Sequence, residues 1–354
     1  MNVSQKIISF IKSNFGFFLF FLFFVILFRD FLYTYRIQIE KFLPYYQYHE
    51  QIMFYLTGED KYDVEAPMNL RFFGLWAQYL IYNFAPCVEL SHIKTISPYP
   101  EYPCVIYSSA LMNYLSLCGI LSLTFSYCNK KLNLNLAESI LTVFLTYIYL
   151  SHVEAFTLDR ISILYFLIVL YFLDHRILSI VLILFASIVN EKIVYILGLL
   201  FFIRLFVNQK KEYKIFFIVT FISGLLVIAI FYFYSVVLGH GYHMSDLEGK
   251  GIYDTAISRG LFRIFGIFTS KSGLSNGAVP LFLSLIPYIL ALFIKERKFF
   301  YSKFDFLIPI SLLVFTAGGG MEQTGRYVMY SMPLWLPIFS QQLLFFLKKQ
   351  KYDV

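Results

Sequence analysis

The chain has 354 residues, of which 59% are hydrophobic and 14% are charged, and its formal net charge is +7. Soluble domains carry about 25% charged residues, so this composition excludes an ordinary soluble domain. The basic residues lie in short breaks between apolar runs, which excludes a nucleic-acid partner. We therefore predict an all-α, polytopic transmembrane helical bundle with about 8–10 spans, forming a single membrane domain over residues 1–354.

Ten apolar runs follow one another along the chain, and each is a candidate membrane span. The first, 7–28, is read as an uncleaved span because no small-residue cleavage site follows it. A long external loop, 29–103, comes next, and the remaining spans lie within 104–347. A second external loop is predicted at 239–277. The later spans are 104–127, 136–151, 160–173, 177–189, 193–208, 214–238, 278–294, 305–317 and 327–347.

The first external loop contains a proline-bounded stretch, "APMNLRFFGLWAQYLIYNFAP", in which Arg71 and Gln78 stand among aromatic residues. This pattern predicts an amphipathic helix at the membrane interface or a shallow re-entrant helix. Cys87 and Cys104 also fall in this region. An oxidising compartment would allow them to pair, but we expect packed or free thiols.

Short basic clusters assign the spans to sides, because cytoplasmic loops carry an excess of Lys and Arg. With a cytoplasmic N-terminus, every cluster falls on the cytoplasmic side, and the tail 348–354 lies there as well. The residues of these clusters are Lys6, Lys12, Lys130, Lys131, Arg176, Lys210, Lys211, Lys214, Lys295, Arg297, Lys298, Lys303, Lys348, Lys349 and Lys351.

The apolar run 177–203 tests this assignment, because Asn190, Glu191 and Lys192 interrupt it near its centre. If the run were one crossing, all later basic clusters would move to the opposite side. Two short spans joined by a tight external turn keep the clusters together. We therefore predict a break at these three residues, with Glu191 in the turn.

Acidic and arginine residues gather in the predicted outer turns. Asp159 and Arg160 end "SHVEAFTLDR", Glu191 lies in "NEK", and Glu322 and Arg326 lie in "GGGMEQTGRY". Taken singly, each of these residues could be explained as a helix cap with no further role. Together, charged groups near membrane depth predict a functional cavity, in which arginine binds a lipid phosphate and a carboxylate acts as general base.

The order of these features resembles bacterial GT-C-type glycosyltransferases, which use polyprenyl-phosphate-linked sugars. "APMNLRFFGLWAQYL" is similar to the P-x-x-x-R stretch of their first outer loop. "LDRISILYFLIVLYFL" and "SIVNEKIVYIL" resemble their acid-bearing helix pair, and "EQTGRYVMYSMPLWLPI" resembles their final arginine-bearing helix. The chain departs from the family pattern because no clear D-x-D or Asp–Glu pair follows the first span. Asp30 and Glu50 are the nearest acids.

The resemblance implies sugar transfer from a polyprenyl-phosphate donor to a cell-surface glycan or a lipid-linked acceptor. The reaction would take place on the outer face of a bacterial inner or plasma membrane, with both termini cytoplasmic. No cofactor motif is present, although Mg²⁺ or Mn²⁺ would suit such a site. The implied roles are general base for Asp30 or Glu50, phosphate binding for Arg71, Arg160 and Arg326, and substrate binding for His49, Trp76, Asp159, Glu191 and Glu322.

Other functions also fit the pattern. A surface-polysaccharide polymerase, for O-antigen or capsule, would share the outer arginines. A transporter or flippase of lipid-linked saccharide would need charged groups along a membrane path, which the apolar span interiors lack. A purely structural membrane protein is a further alternative. Nucleotide-binding and zinc-protease motifs do not occur in the sequence.

Overall fold

The computed structural model describes residues 15–41, 72–85, 102–151, 159–208, 211–233, 279–293, 305–318 and 328–350. Within these ranges the regular elements are all helical, which confirms the all-α class. The α-helices are α1 (Phe15–Lys41), α2 (Phe72–Phe84), α3 (Tyr102–Lys130), α4 (Leu136–Ser151), α5 (Asp159–Tyr171), α6 (Arg176–Val189), α7 (Glu191–Asn208), α8 (Lys211–Tyr232), α9 (Val279–Phe293), α10 (Leu307–Gly318) and α11 (Met332–Gln350). A short 3₁₀-helix, Met329–Ser331, precedes α11.

The helices begin and end close to the limits of the predicted spans. The predicted span 136–151 coincides with α4. The first helix differs, because α1 continues beyond the predicted span end at residue 28 as far as Lys41. Residues 17–43 contain neither Gly nor Pro, so nothing in the backbone stops the helix where the apolar run ends.

Helix α3 is the centre of the described bundle and packs against α1, α2, α4 and α5. The Tyr114 ring lies 5.1 Å from the ring of Phe24 and 5.2 Å from that of Phe31, which joins α3 to α1. On another side, a Cβ on Gly119 would come within 3.1 Å of Leu164. Glycine at this position therefore permits the close approach of α5.

A single residue, Asn190, separates α6 from α7. Its backbone is extended, and its N–H donates to the Ala186 carbonyl at 3.1 Å, which ends α6. Its side-chain Oδ1 accepts the Lys192 N–H at 3.1 Å, which is an N-cap for α7. The predicted break is thus confirmed, with one correction: Glu191 is the first residue of α7 and does not lie in the turn.

The chain reverses direction at this link. Ser223 of α8 lies 3.5 Å from the Leu184 carbonyl, and Val194 lies 3.8 Å from where a Cβ on Gly224 would be. Leu184 and Val194 therefore sit at the same height along α8. In one continuous helix they would be about 15 Å apart.

The neighbouring helices also alternate in direction. Tyr165 donates to the Leu182 carbonyl at 2.6 Å, so α5 and α6 form a hairpin. As a result, the starts of α5, α7 and α11 and the end of α6 meet at one end of the bundle. We call this the cluster end. The opposite end holds the ends of α3, α5 and α7 and the starts of α6 and α8.

Two helices in the described ranges, Cys104–Lys130 and Lys211–Ile230, are long and apolar enough to cross a membrane. They differ in their surroundings: of an apolar 18-residue stretch in each helix, 72% is buried in the first and 17% in the second. Helix α8 therefore presents a largely exposed apolar surface, on which Ile228 is 65% exposed. Several shorter helices expose apolar side chains too, as Ile177 of α6 and Val25 of α1 illustrate.

Candidate functional site

Five polar side chains meet at the cluster end, and all five are buried. Helix α5 contributes Asp159 and Ser162, the α6–α7 link contributes Asn190, α7 contributes Lys192, and the 3₁₀-helix before α11 contributes Tyr330. Short helices that start at the same end of the bundle bring these residues together. We refer to them as the polar cluster.

Asp159 is the centre of this cluster and is 1% exposed. The Tyr330 hydroxyl donates a hydrogen bond to its Oδ1. The Lys192 ammonium lies 4.0 Å from the same oxygen and 5.5 Å from the centroid of the Tyr330 ring. A phenol and an ammonium thus converge on one buried carboxylate, and a buried charge is stable only with such partners.

Asn190 determines the direction of the hydrogen bonds. Its side-chain amide donates to Ser162 Oγ at 3.0 Å and to the Tyr330 hydroxyl at 3.2 Å. Because the amide donates to the Tyr330 oxygen, the single phenolic proton is available for Asp159. Asn190 therefore ties the α6–α7 link to both α5 and α11, and it fixes the orientation of Tyr330.

Arg160 lies beside Asp159 and is also buried. Its Nη2 donates to the Leu150 carbonyl at 3.2 Å, which connects the start of α5 to the end of α4. Arg160 and Lys192 are thus both buried at the cluster end, but Lys192 faces Asp159 whereas Arg160 contacts the end of α4. Guanidinium and ammonium groups in such a setting are suited to binding a phosphate.

Three of the predicted site residues meet at the cluster end. Asp159 and Arg160 are adjacent at the start of α5, and the half-buried Glu191 stands between Asn190 and Lys192. Their grouping into one functional site stays a prediction. Their individual roles stay predictions.

The other predicted site residues are placed differently or are not described. Trp76 on α2 is 58% exposed and is not part of the polar cluster. Asp30 falls within α1, where the structure describes the backbone. The predicted residues that lie outside the described ranges are His49, Glu50, Arg71, Glu322 and Arg326.

Sequence reasoning did not select Ser162, Asn190, Lys192 or Tyr330 as site residues. A signal existed for two of them, because Asn190 and Lys192 are the polar residues that interrupt an apolar run. No comparable signal marks Tyr330, which is one of 29 tyrosines in the chain. Its role depends on a contact with Asp159, from which it is 171 residues distant in sequence.

The cysteines require one correction. Cys104 is disulfide-bonded, whereas the sequence interpretation expected packing or a free thiol there. Its candidate partner, Cys87, lies outside the described residues. Cys118 and Cys128 are free and buried within α3. In the described part of the chain, no group of three or more His, Cys, Asp or Glu residues is arranged to hold a metal ion.

Chemically, the polar cluster supplies one ammonium, with Arg160 as a second buried cation at the same end, and it can orient a hydroxyl through Asp159 and Tyr330. It is assembled from helices that are distant in sequence, as binding sites in helical bundles commonly are. No protein-family model matches the chain, and no curated protein and no solved structure matches it.

Proposed function

We propose that the chain is a polytopic integral membrane protein whose helices cross the bilayer side by side. The apolar surface of α8 supports this, because only 17% of its apolar 18-residue stretch is buried and the rest would be exposed to water in a soluble protein. In α3 to α11, the charged side chains of the described residues stand near helix ends. Apolar helix centres with polar ends suit a bilayer.

The distribution of basic residues supports an outer location for the polar cluster. The described basic side chains at the opposite end satisfy the positive-inside rule if that end is cytoplasmic. The cluster end then faces the periplasm or the cell exterior. The basic residues concerned are Lys130, Lys131, Arg176, Lys211 and Lys214.

Within this topology, we propose that the protein transfers a sugar from a polyprenyl-phosphate donor to an acceptor on the outer face. The buried polar cluster is the observation that carries the proposal. Arg160 and Lys192 would bind the donor phosphate. Asp159 and Tyr330 would orient Lys192 and a sugar hydroxyl, while Glu191 would contact the sugar.

The reaction itself is a displacement at the anomeric carbon of the sugar. The acceptor hydroxyl oxygen forms the new glycosidic bond while the bond to the phosphate oxygen breaks, and the polyprenyl phosphate leaves with the bonding electron pair. A general base takes the acceptor proton, and Asp30 and Glu50 are the candidates for that role. Arg71 and Arg326 are proposed as further phosphate ligands, and Mg²⁺ or Mn²⁺ as an optional cofactor.

An acid-to-amide substitution in the polar cluster tests this proposal. In a strain that lacks the chromosomal gene, we expect Asp159→Asn to abolish the glycan product, because the amide no longer holds the Lys192 ammonium. Glycan size is measured on gels, with protein insertion checked by immunoblot of membranes. Loss of one sugar per chain supports a transferase, whereas collapse of long chains to single repeats supports a polymerase.

The matched control is Asp174→Asn at the opposite end, where the side chain is 74% exposed. It makes the same chemical change away from the polar cluster and should leave the glycan intact. A normal glycan in membranes that contain Asp159→Asn at wild-type level would refute the proposed site.

A further inference from the structure

Two aromatic side chains with buried hydrogen-bond donors contact each other between α4 and α11. The rings of Tyr149 and Trp335 lie 5.3 Å apart and are nearly perpendicular, with an interplanar angle of 83°. Trp335 is 2% exposed. Among the described residues, nothing accepts a hydrogen bond from the Trp335 indole N–H, and the buried Tyr149 hydroxyl has no hydrogen-bond partner either.

This aromatic pair adjoins the polar cluster. Tyr149 directly precedes Leu150, whose carbonyl accepts the hydrogen bond from Arg160. Trp335 follows Tyr330 by five residues, which corresponds to about 8 Å along the helix axis. Trp335 therefore lies between one and two helical turns beyond Tyr330, whose hydroxyl contacts Asp159.

Leaving such donors without acceptors is unfavourable. A buried donor that loses its partner destabilises a protein by about 1–3 kcal/mol, and buried polar groups of this kind call for a bound partner. Apolar side chains in these two positions would avoid this penalty. The indole nitrogen can only donate, so the missing partner must carry an acceptor oxygen.

The chemistry of the pair points to a neutral, hydroxyl-bearing partner. An indole N–H and a phenol are uncharged donors, whereas a phosphate is bound more strongly by the neighbouring Arg160 and Lys192. Aromatic faces beside neutral donors suit a sugar, whose C–H groups pack on rings while its hydroxyl oxygens accept hydrogen bonds. On the outer side of α4, Phe144 and Ile148 are exposed, so the surface next to Tyr149 is apolar.

We propose that Tyr149 and Trp335 form a saccharide subsite in which a sugar hydroxyl oxygen accepts hydrogen bonds from both side chains. The subsite would bind the sugar part of the substrate, whereas Arg160 and Lys192 would bind its phosphate. To that extent, this inference rests on the proposed function. It differs from the predicted sugar contact at Trp76, which lies exposed on α2.

Tryptophan fluorescence can observe this subsite directly, because the chain contains only two tryptophans. The Trp76→Phe variant leaves Trp335 as the sole indole. In nanodiscs free of glycoside detergent, this variant is titrated with farnesyl phosphate esters of glucose, galactose, mannose, rhamnose and N-acetylglucosamine. We expect at least one ester to change the Trp335 emission saturably, while farnesyl phosphate without sugar leaves the emission unchanged.

Removing one donor should weaken binding without abolishing it. In the Trp76→Phe background, we expect Tyr149→Phe to raise the apparent Kd of the sugar probe about tenfold, the loss of roughly one hydrogen bond. Tyr213→Phe is the matched control, because its ring stacks on Phe201 away from the polar cluster. It should leave the Kd unchanged.

Three outcomes would overturn the subsite. Equal responses to farnesyl phosphate and its sugar esters would identify phosphate as the ligand. No response to any sugar ester would mean that a bound water, and not a sugar, accepts the hydrogen bonds from Tyr149 and Trp335. An unchanged Kd in Tyr149→Phe would remove that hydroxyl from the subsite. Binding is measured without turnover, so a chain that binds the sugar but makes no glycan would contradict only the proposed transferase function.

Discussion

The two ends of the bundle hold their buried charges in different ways. At the opposite end, Arg204 and Asp305 form an ion pair with a 2.7 Å contact that joins α7 to the residues preceding α10. At the cluster end, the Lys192 ammonium stands 4.0 Å from Asp159, and a phenol donates to the same carboxylate. The first arrangement suits a permanent link between helices. The second places the ammonium in a hydrogen-bonded network around the carboxylate rather than in a direct short ion pair.

A direct ion pair thus stands at one end of the bundle, and the network that we propose as a binding site stands at the other. A direct contact between guanidinium and carboxylate is short and strong, and breaking it leaves a buried charge behind. A network shared by Asp159, Lys192, Tyr330 and Asn190 distributes the same stabilisation over three helices. Several hydrogen bonds then define the position of each group.

The largest effect on stability is expected at the opposite end. Asp305→Ala removes the carboxylate and leaves Arg204 largely buried, so we expect a loss of about 3–5 kcal/mol in the free energy of unfolding. Titration with sodium dodecyl sulfate in mixed micelles measures this loss. Asp305→Asn is the control, since it retains a hydrogen-bond acceptor and should lose less. Equal stability of Asp305→Ala and the wild type would mean that this pair does not join the helices.

An intermediate effect is expected at the α6–α7 link, where two substitutions separate the roles of Asn190. Asn190→Ser keeps an N-capping oxygen but is too short to reach Ser162 and Tyr330, so it should lower the free energy of unfolding by about 1–2 kcal/mol. Asn190→Ala also removes the cap and should lose about 1 kcal/mol more. The same micelle titration applies to both variants.

A double-mutant cycle checks that Asn190 acts through Tyr330. In the Tyr330→Phe background, Asn190→Ser should cost less than in the wild type, because the shared hydrogen bond is already absent. Additive losses in the free energy of unfolding would show that the two residues act independently. Asn190 would then not be the residue that orients Tyr330.

The smallest effect is expected at the exposed ion pair of the opposite end. Lys131 and Asp174 are 2.7 Å apart, but the Asp174 side chain is 74% exposed. Solvent-exposed pairs contribute about 0.2–1 kcal/mol, so Asp174→Ala should change the free energy of unfolding by less than about 1 kcal/mol. Repeating the titration at high salt should reduce even this difference. A loss as large as that for Asp305→Ala would contradict the ranking by burial.

Much of the helix layout could be predicted from the sequence. Apolar runs and the polar residues between them identified the limits of α4 and the division between α6 and α7, because both signals are local in the sequence. The end of α1 could not be predicted in this way, because the helix continues beyond the apolar run. Helix continuation depends on backbone propensity, which Arg29 and Asp30 do not interrupt.

The site could be predicted only in part. Asp159, Arg160 and Glu191 were chosen because charges beside apolar helices are rare and informative. Ser162 and Tyr330 are ordinary residues whose roles arise from long-range contacts, and those contacts leave no local pattern. The disulfide of Cys104 was misjudged for a similar reason, because thiol pairing depends on distances in the folded chain.

The single-residue connection at Asn190 has a consequence for how the length of the chain can vary. An inserted residue in an α-helix turns everything after it by about 100°, and a link of one residue has no slack to absorb that turn. An insertion or deletion here would rotate Lys192 away from Asp159 and would separate the N-cap from α7. Length at this position is therefore more constrained than residue identity, and substitutions would be tolerated there more readily than any change of spacing.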